Sequence, residues 1–157
     1  MKLVKKLMES IREYKKASIL TPIFVTVEVV MEVLIPFVMA SLIDKGIEAG
    51  SMSVIWKYGI LLLVLAMISL AFGTLAGHQA SIASCGLSKN LRKDMYYRIQ
   101  NFSFSNIDKF STASIVTRLT TDVTNVQNAY QMILRIAVRA PLMMICSMVM
   151  CFVINPT

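Results

Sequence analysis

The sequence predicts an all-α membrane protein: an N-terminal elbow helix on the membrane surface, then three long transmembrane helices. The second and third are expected to extend into the cytoplasm and to be joined there by a short crossing helix. Three observations carry this. Of the 157 residues 56% are apolar and only 16% charged, which is too hydrophobic for an ordinary soluble domain of this size. Three stretches, at about residues 17–43, 56–87 and 129–154, are long enough for a bilayer core of about 30 Å, which needs about 20 apolar residues in a helix. Lysine and arginine are grouped, six in residues 1–16 and eight in residues 89–139, with Lys45 and Lys57 between. The positive-inside rule puts the N-terminus and the 89–139 region in the cytoplasm and the C-terminal end of the chain outside.

These observations also remove other classes. A basic start followed by an apolar run resembles a secretory signal, but the run continues past any cleavage site and is read as a retained span. The formal charge of +7 comes from residues beside apolar stretches without aromatic interleaving, so membrane orientation explains it and nucleic acid is not expected as a partner. Cys85, Cys146 and Cys151 have neither metal-ligand nor disulfide-scaffold spacing and are expected to pack in apolar helix.

Residues 1–16 place Leu3, Val4, Leu7, Met8 and Ile11 on one helical face and Lys2, Lys5, Lys6, Glu9 and Arg12 around the rest, the pattern of an interfacial helix. A solvated basic leader is the plainer alternative. In the first span Glu28 and Glu32 lie four residues apart on one face, about halfway across. A charge there costs about 2.5 to 3.5 kcal/mol on insertion scales, so these carboxylates are expected to face other helices or a wet cavity, or to carry a proton. A polar wall of a substrate pathway and a structural bond between helices both fit. Pro22 and Pro36 are expected to kink the helix or to begin segments of it.

After Asp44 a glycine- and serine-containing loop suits a tight outer turn, and Trp56, Lys57 and Tyr58 mark the interface at the start of the second span. No strong breaker follows until about residue 101, so about 68 Å of helix is expected at 1.5 Å per residue, twice what the bilayer core uses. Ser69, Gly73, Gly77, Ser81 and Cys85 recur every four residues, a small-residue stripe that allows close helix packing. His78, on its flank, suits packing or hydrogen bonding better than ligation.

Residues 102–121 are rich in serine and threonine, and Ser105 with Asp108 has the spacing of a capping box. A short helix at about 108–119 would lie across the end of the rod, with Asp122 in the first turn of the third long helix, where its charge complements the helix dipole. Arg135 and Arg139 share a face of that helix. They are read as a positive-inside anchor near the start of the bilayer, with lipid phosphate or an inward-facing cavity as alternatives.

The order of elbow, span, short loop, long span, DKFSTASIVTRLTTDVTNVQ and long span resembles the N-terminal half of the transmembrane domain of six-helix (type 1) ABC exporters. LIPFVMASLIDKGI, IVTRLTTDVTNVQ and ILRIAVRAPLM are most similar to bacterial heterodimeric multidrug exporters. The resemblance implies that the intracellular loop, about 102–121, carries the first coupling helix, around residues 110–118. Asp108, Phe110, Thr112, Ser114, Thr117, Arg118 and Asp122 are the positions that match the family loop and would contact a nucleotide-binding domain. Many relatives have a glycine and an acidic residue where this chain has Ala113 and Ser114.

The chain carries no phosphate-cradling GxxxxGK[ST] loop, magnesium-holding acid after a strand or LSGGQ-like signature, so ATP and Mg2+ are implied only for a nucleotide-binding domain outside it, in cis or in trans. It is accordingly read as no enzyme on its own and as a fragment, an incomplete reading frame or a truncated gene product of a transporter in a bacterial plasma membrane, which pairs with a second half-transporter in a heterodimer. Glu28, Glu32 and His78 are the candidate lining of a cavity for amphipathic, drug-like substrates. Three spans alone are expected to leave the two glutamates without enough partners. A small accessory or sensor subunit that moves no substrate is the alternative.

Overall fold

The computed structural model describes residues 10–101 and 112–154. Four α-helices account for most of them: α1 (Lys15–Leu42), α2 (Met52–Gln100), α3 (Thr112–Thr117) and α4 (Val123–Ile154). There is no strand among the described residues, and the three long helical runs are each long and apolar enough to cross a membrane. Most of the proposed elbow helix lies outside the described residues. Its end is a 3₁₀ turn at Arg12–Tyr14, where Arg12 takes the left-handed φ of 39°. Below the turn the ring of Tyr14 lies directly on Gly86 of α2, an approach that any side chain at that position would block.

Pro22 and Pro36 both sit inside α1, and neither begins nor ends it. Each removes one backbone bond, a loss that a membrane helix tolerates when neighbouring groups take up the freed carbonyls. A π-helical turn, Ile43–Ile47, closes α1, and Gly50 at φ 64° makes the reversal into α2. At 49 residues α2 is unbroken and about 73 Å long at 1.5 Å per residue.

The core is small. Val25 and Val29 of α1 and Ala76 of α2 are buried together, with Phe24, Val33, Val138, Leu142 and Met143 packed around them. Along α2 the buried row is Ala76, Ala80, Ala83, Ser84 and Leu87. This differs from the expected stripe: Ser69, Gly73 and Gly77 are half-buried, while Ser81 and Cys85 are exposed. The cause is helical phase. With 3.6 residues per turn a strict spacing of four drifts about 40° per step, so a five-member row winds away from its neighbour, whereas mixed steps of three and four stay on it. Much of the remaining apolar surface is open, including Leu63, Met67 and Leu70 of α2 and Met144, Ile145 and Met148 of α4, as suits helices that meet lipid or further spans.

Only the part of the expected short helix from Thr112 onward is among the described residues. Asp108 and Phe110 lie outside the described residues, but from Thr112 the chain runs through a π-helical turn, Arg118–Asp122, straight into α4. Both flanking residues, Thr117 and Val123, keep right-handed helical angles, so no corner separates α3 from α4. The threonines explain this. Thr117, Thr120 and Thr124 donate their hydroxyls to the carbonyls of Ala113, Val116 and Thr120, at 2.7–3.0 Å, instead of capping a new helix.

Candidate functional site: an ionic triad shared by three helices

The polar centre of the bundle forms where α4 crosses the middle of α1. Arg139 donates from Nη1 to Glu28 Oε1 at 2.9 Å and from Nη2 to both oxygens of Glu32, at 2.7 and 2.8 Å. The two acids face Arg139 together because four residues make just over one helical turn. The third wall is Gly73 of α2, whose missing side chain leaves room for the carboxylate: a Cβ there would lie 2.9 Å from Glu28 Oε1. Glu28 is 7% exposed, and its Oε2 is buried without a hydrogen-bond partner.

The triad corrects two expectations. Arg139 is not a surface anchor, since it is level with the middle of α1 and engaged with carboxylates. The glutamates also find a cation within these three spans; the one shortfall is at Glu28 Oε2. The signal was present in the sequence as two acids and an arginine in apolar stretches, where each ionised group needs a partner. What the sequence lacked was the register of α4 against α1. Arg135, one turn away, instead approaches Gly77.

Two grooves flank the triad. The one between α1 and α2, about 420 Å³, is lined by both glutamates together with Ile35, Leu70, Gly73 and Thr74, among others. The other, about 300 Å³ between α1 and α4, touches Glu32, Phe37, Met143 and Ser147 among its walls. Glu32 therefore borders both. His78 is exposed and lines neither, because it lies two residues from both Ala76 and Ala80 and so projects away from the buried row.

At the other end of the bundle, contacts tie together the N-terminal turn, the far part of α2 and the start of α4. Asn90 donates to the Ser10 carbonyl at 2.8 Å, and Arg12 reaches Asp94 at 3.1 Å. Arg92 donates to Thr124 Oγ1 and Gln127 to Cys85 Sγ, both at 3.3 Å. Cys85 is thus an exposed acceptor and not a packed apolar residue, and Cys151 is exposed too. Of the loop positions, the Thr112 backbone opens α3, Ser114 is half-buried, and Thr117, Arg118 and Asp122 are exposed.

Residues 18–157 match the model of the ABC transporter transmembrane region. The chain belongs to this family. It is 34% identical over 152 residues to the uncharacterized ABC transporter ATP-binding protein YfiB of Bacillus subtilis, covering 97% of this chain and 26% of that protein. An ATP-dependent lipid A-core flippase of Albidiferax ferrireducens is 26% identical over 124 residues, 79% of this chain and 21% of the flippase. An uncharacterized ABC transporter ATP-binding protein of Mycobacterium tuberculosis is 25% identical over 144 residues, covering 92% of this chain and 25% of its own length. The chain thus spans about a quarter of the length of these curated relatives. As an ABC transporter membrane region with three apolar helices long enough to span, it is a multi-pass membrane protein.

Proposed function

We propose that this chain is the membrane-spanning first part of an ATP-driven exporter of amphipathic compounds, in which residues 108–122 receive motion from a nucleotide-binding domain and pass it to the bundle. Family membership supports the transporter reading. The observation that carries the coupling role is the unbroken helical path from Thr112 through Arg118–Asp122 to Ile154, tied to the far part of α2 by Arg92–Thr124 and Gln127–Cys85. A force applied near Arg118 is then transmitted as movement of a stiff pair of helices, and arrives at Arg139 and the grooves as a change in their packing.

ATP with Mg2+ supplies the energy at the nucleotide-binding domain. Nucleotide binds on that domain in this reading, and the part played by this chain is mechanical. In this reading the N-terminus is cytoplasmic, the membrane is the bacterial plasma membrane, and a second half-transporter completes a heterodimer.

The test is charge reversal at Arg118 (Arg118→Glu) or Asp122 (Asp122→Lys) in the full-length protein in lipid nanodiscs. Basal ATPase is expected to persist while stimulation by an exported dye falls by about 5-fold or more, the lower end of typical coupling energies. A normal stimulated ATPase in both variants would remove the coupling role.

A further inference from the structure

The triad is formally one positive charge short, with two carboxylates and a single guanidinium. The shortfall is directional. Both acids line the α1–α2 groove, while Arg139 approaches them from α4 and is not among the groove's lining residues, so the groove wall carries the acids without their counter-ion. A second observation concerns Glu28, which is more than nine-tenths buried against this groove with Oε2 unpartnered. A buried carboxylate oxygen without a donor is costly, and at Glu28 it leaves an acceptor position that a rearranged donor can fill.

We infer that the α1–α2 groove binds an amphipathic organic monocation, whose ammonium group pairs with Glu32 while its apolar body lies along Ile35, Ala66 and Leu70. The inference deepens the exporter reading above, since it names the class of compound taken by the same membrane domain. Glu32 is the reachable acid, its side chain 26% exposed against 9% for Glu28. As the ammonium takes Glu32, Nη2 of Arg139 is released and moves to the waiting Oε2 of Glu28. Nη1 already holds Oε1, so Arg139 and Glu28 become a two-bond fork, the favoured geometry of a guanidinium on a carboxylate. One unevenly shared cation is replaced by two neutral pairs. No proton or electron is transferred. The cavity of about 420 Å³ is within the usual range for small-molecule sites.

The experiment uses the full-length protein in lipid nanodiscs without nucleotide and two fluorescent probes: monodansylcadaverine, which carries a primary ammonium, and its neutral N-acetyl derivative. The wild type is expected to bind the cation about tenfold or more tightly than the neutral probe, and Glu32→Gln to bring the two affinities together. Gly73→Ala, which crowds Glu28 without changing charge, is expected to weaken the cation alone. Equal affinities for the two probes in the wild type, or no binding of either, overturns the inference even if Glu32→Gln fails to fold. A cation preference that survives intact in folded Glu32→Gln overturns it as well. Because nucleotide is absent, a failed ATPase-coupling test leaves this result untouched, and the two readings fail separately.

Discussion

Two regions of this molecule use the same kind of ion pair to opposite effect. Arg12 and Asp94 meet at the end of the bundle with side chains 53% and 33% exposed. Arg139, Glu28 and Glu32 meet at the middle of α1, beside the core of Val25, Val29 and Ala76. Water screens and competes with the first pair, so its contribution is at most about 1 kcal/mol. At the second, Glu28 is 9% exposed, Glu32 26% and Arg139 37%, and all three sit midway along helices long and apolar enough to cross a membrane, so removing one partner strands a charge where little water can solvate it. Placement in the fold, more than distance, decides what the contact is worth.

The largest test of that contrast is Arg139→Ala, which leaves two acids at the helix crossing. It is expected to destabilise the protein by about 2.5 to 3.5 kcal/mol, read as a fall in the thermal midpoint in detergent. Adding Glu28→Gln and Glu32→Gln is expected to restore much of the loss; no recovery would show that Arg139 acts through packing. A smaller effect is expected from Gly86→Ala, where the new Cβ would run into the Tyr14 ring. Overpacking of this kind costs about 1 to 3 kcal/mol. Tyr14→Ala in the same chain is expected to relieve it, measured by protease resistance of the N-terminal segment. The smallest is Arg12→Ala, expected to cost about 1 kcal/mol or less and to vanish in high salt. Arg12→Gly is expected to be milder still, because φ of 39° suits glycine. A large, salt-independent loss at Arg12 would erase the distinction between the two regions.

The same contrast explains what the sequence made legible. The three long helices follow from apolar length alone, and the unbroken α2 from the absence of a breaker. These are one-dimensional properties. The place of Arg139 is not legible in the sequence, because its depth depends on how α4 slides against α1, and residue spacing within one helix carries no information about that. The small-residue stripe packs at Gly73 but not at Ser81 and Cys85, because a spacing of four traces a spiral around the helix. The threonines near Arg118 were ambiguous for a chemical reason: a hydroxyl that caps a helix start equally bonds a carbonyl one turn back, and here Thr117, Thr120 and Thr124 do the latter. Glu28 and Glu32 were visible as expensive residues, but their cation was not.

The π-helical turns at Ile43–Ile47 and Arg118–Asp122 each lie at the end of a long helix. A π turn accommodates one residue more than an α turn over nearly the same rise, so losing a single residue there allows ordinary α geometry to close up. Such a deletion would leave the helix continuous and its two flanks facing nearly as before, because the five residues of the π turn sweep about the same angle as four residues of α-helix. At Arg118–Asp122 it would shorten the chain by one residue without turning α3 against α4, whereas a deletion inside α4, where no π turn absorbs it, would rotate α3 by about 100°. A one-residue loss at this turn is therefore absorbed with the face of α3 kept, while the same loss inside α4 is not.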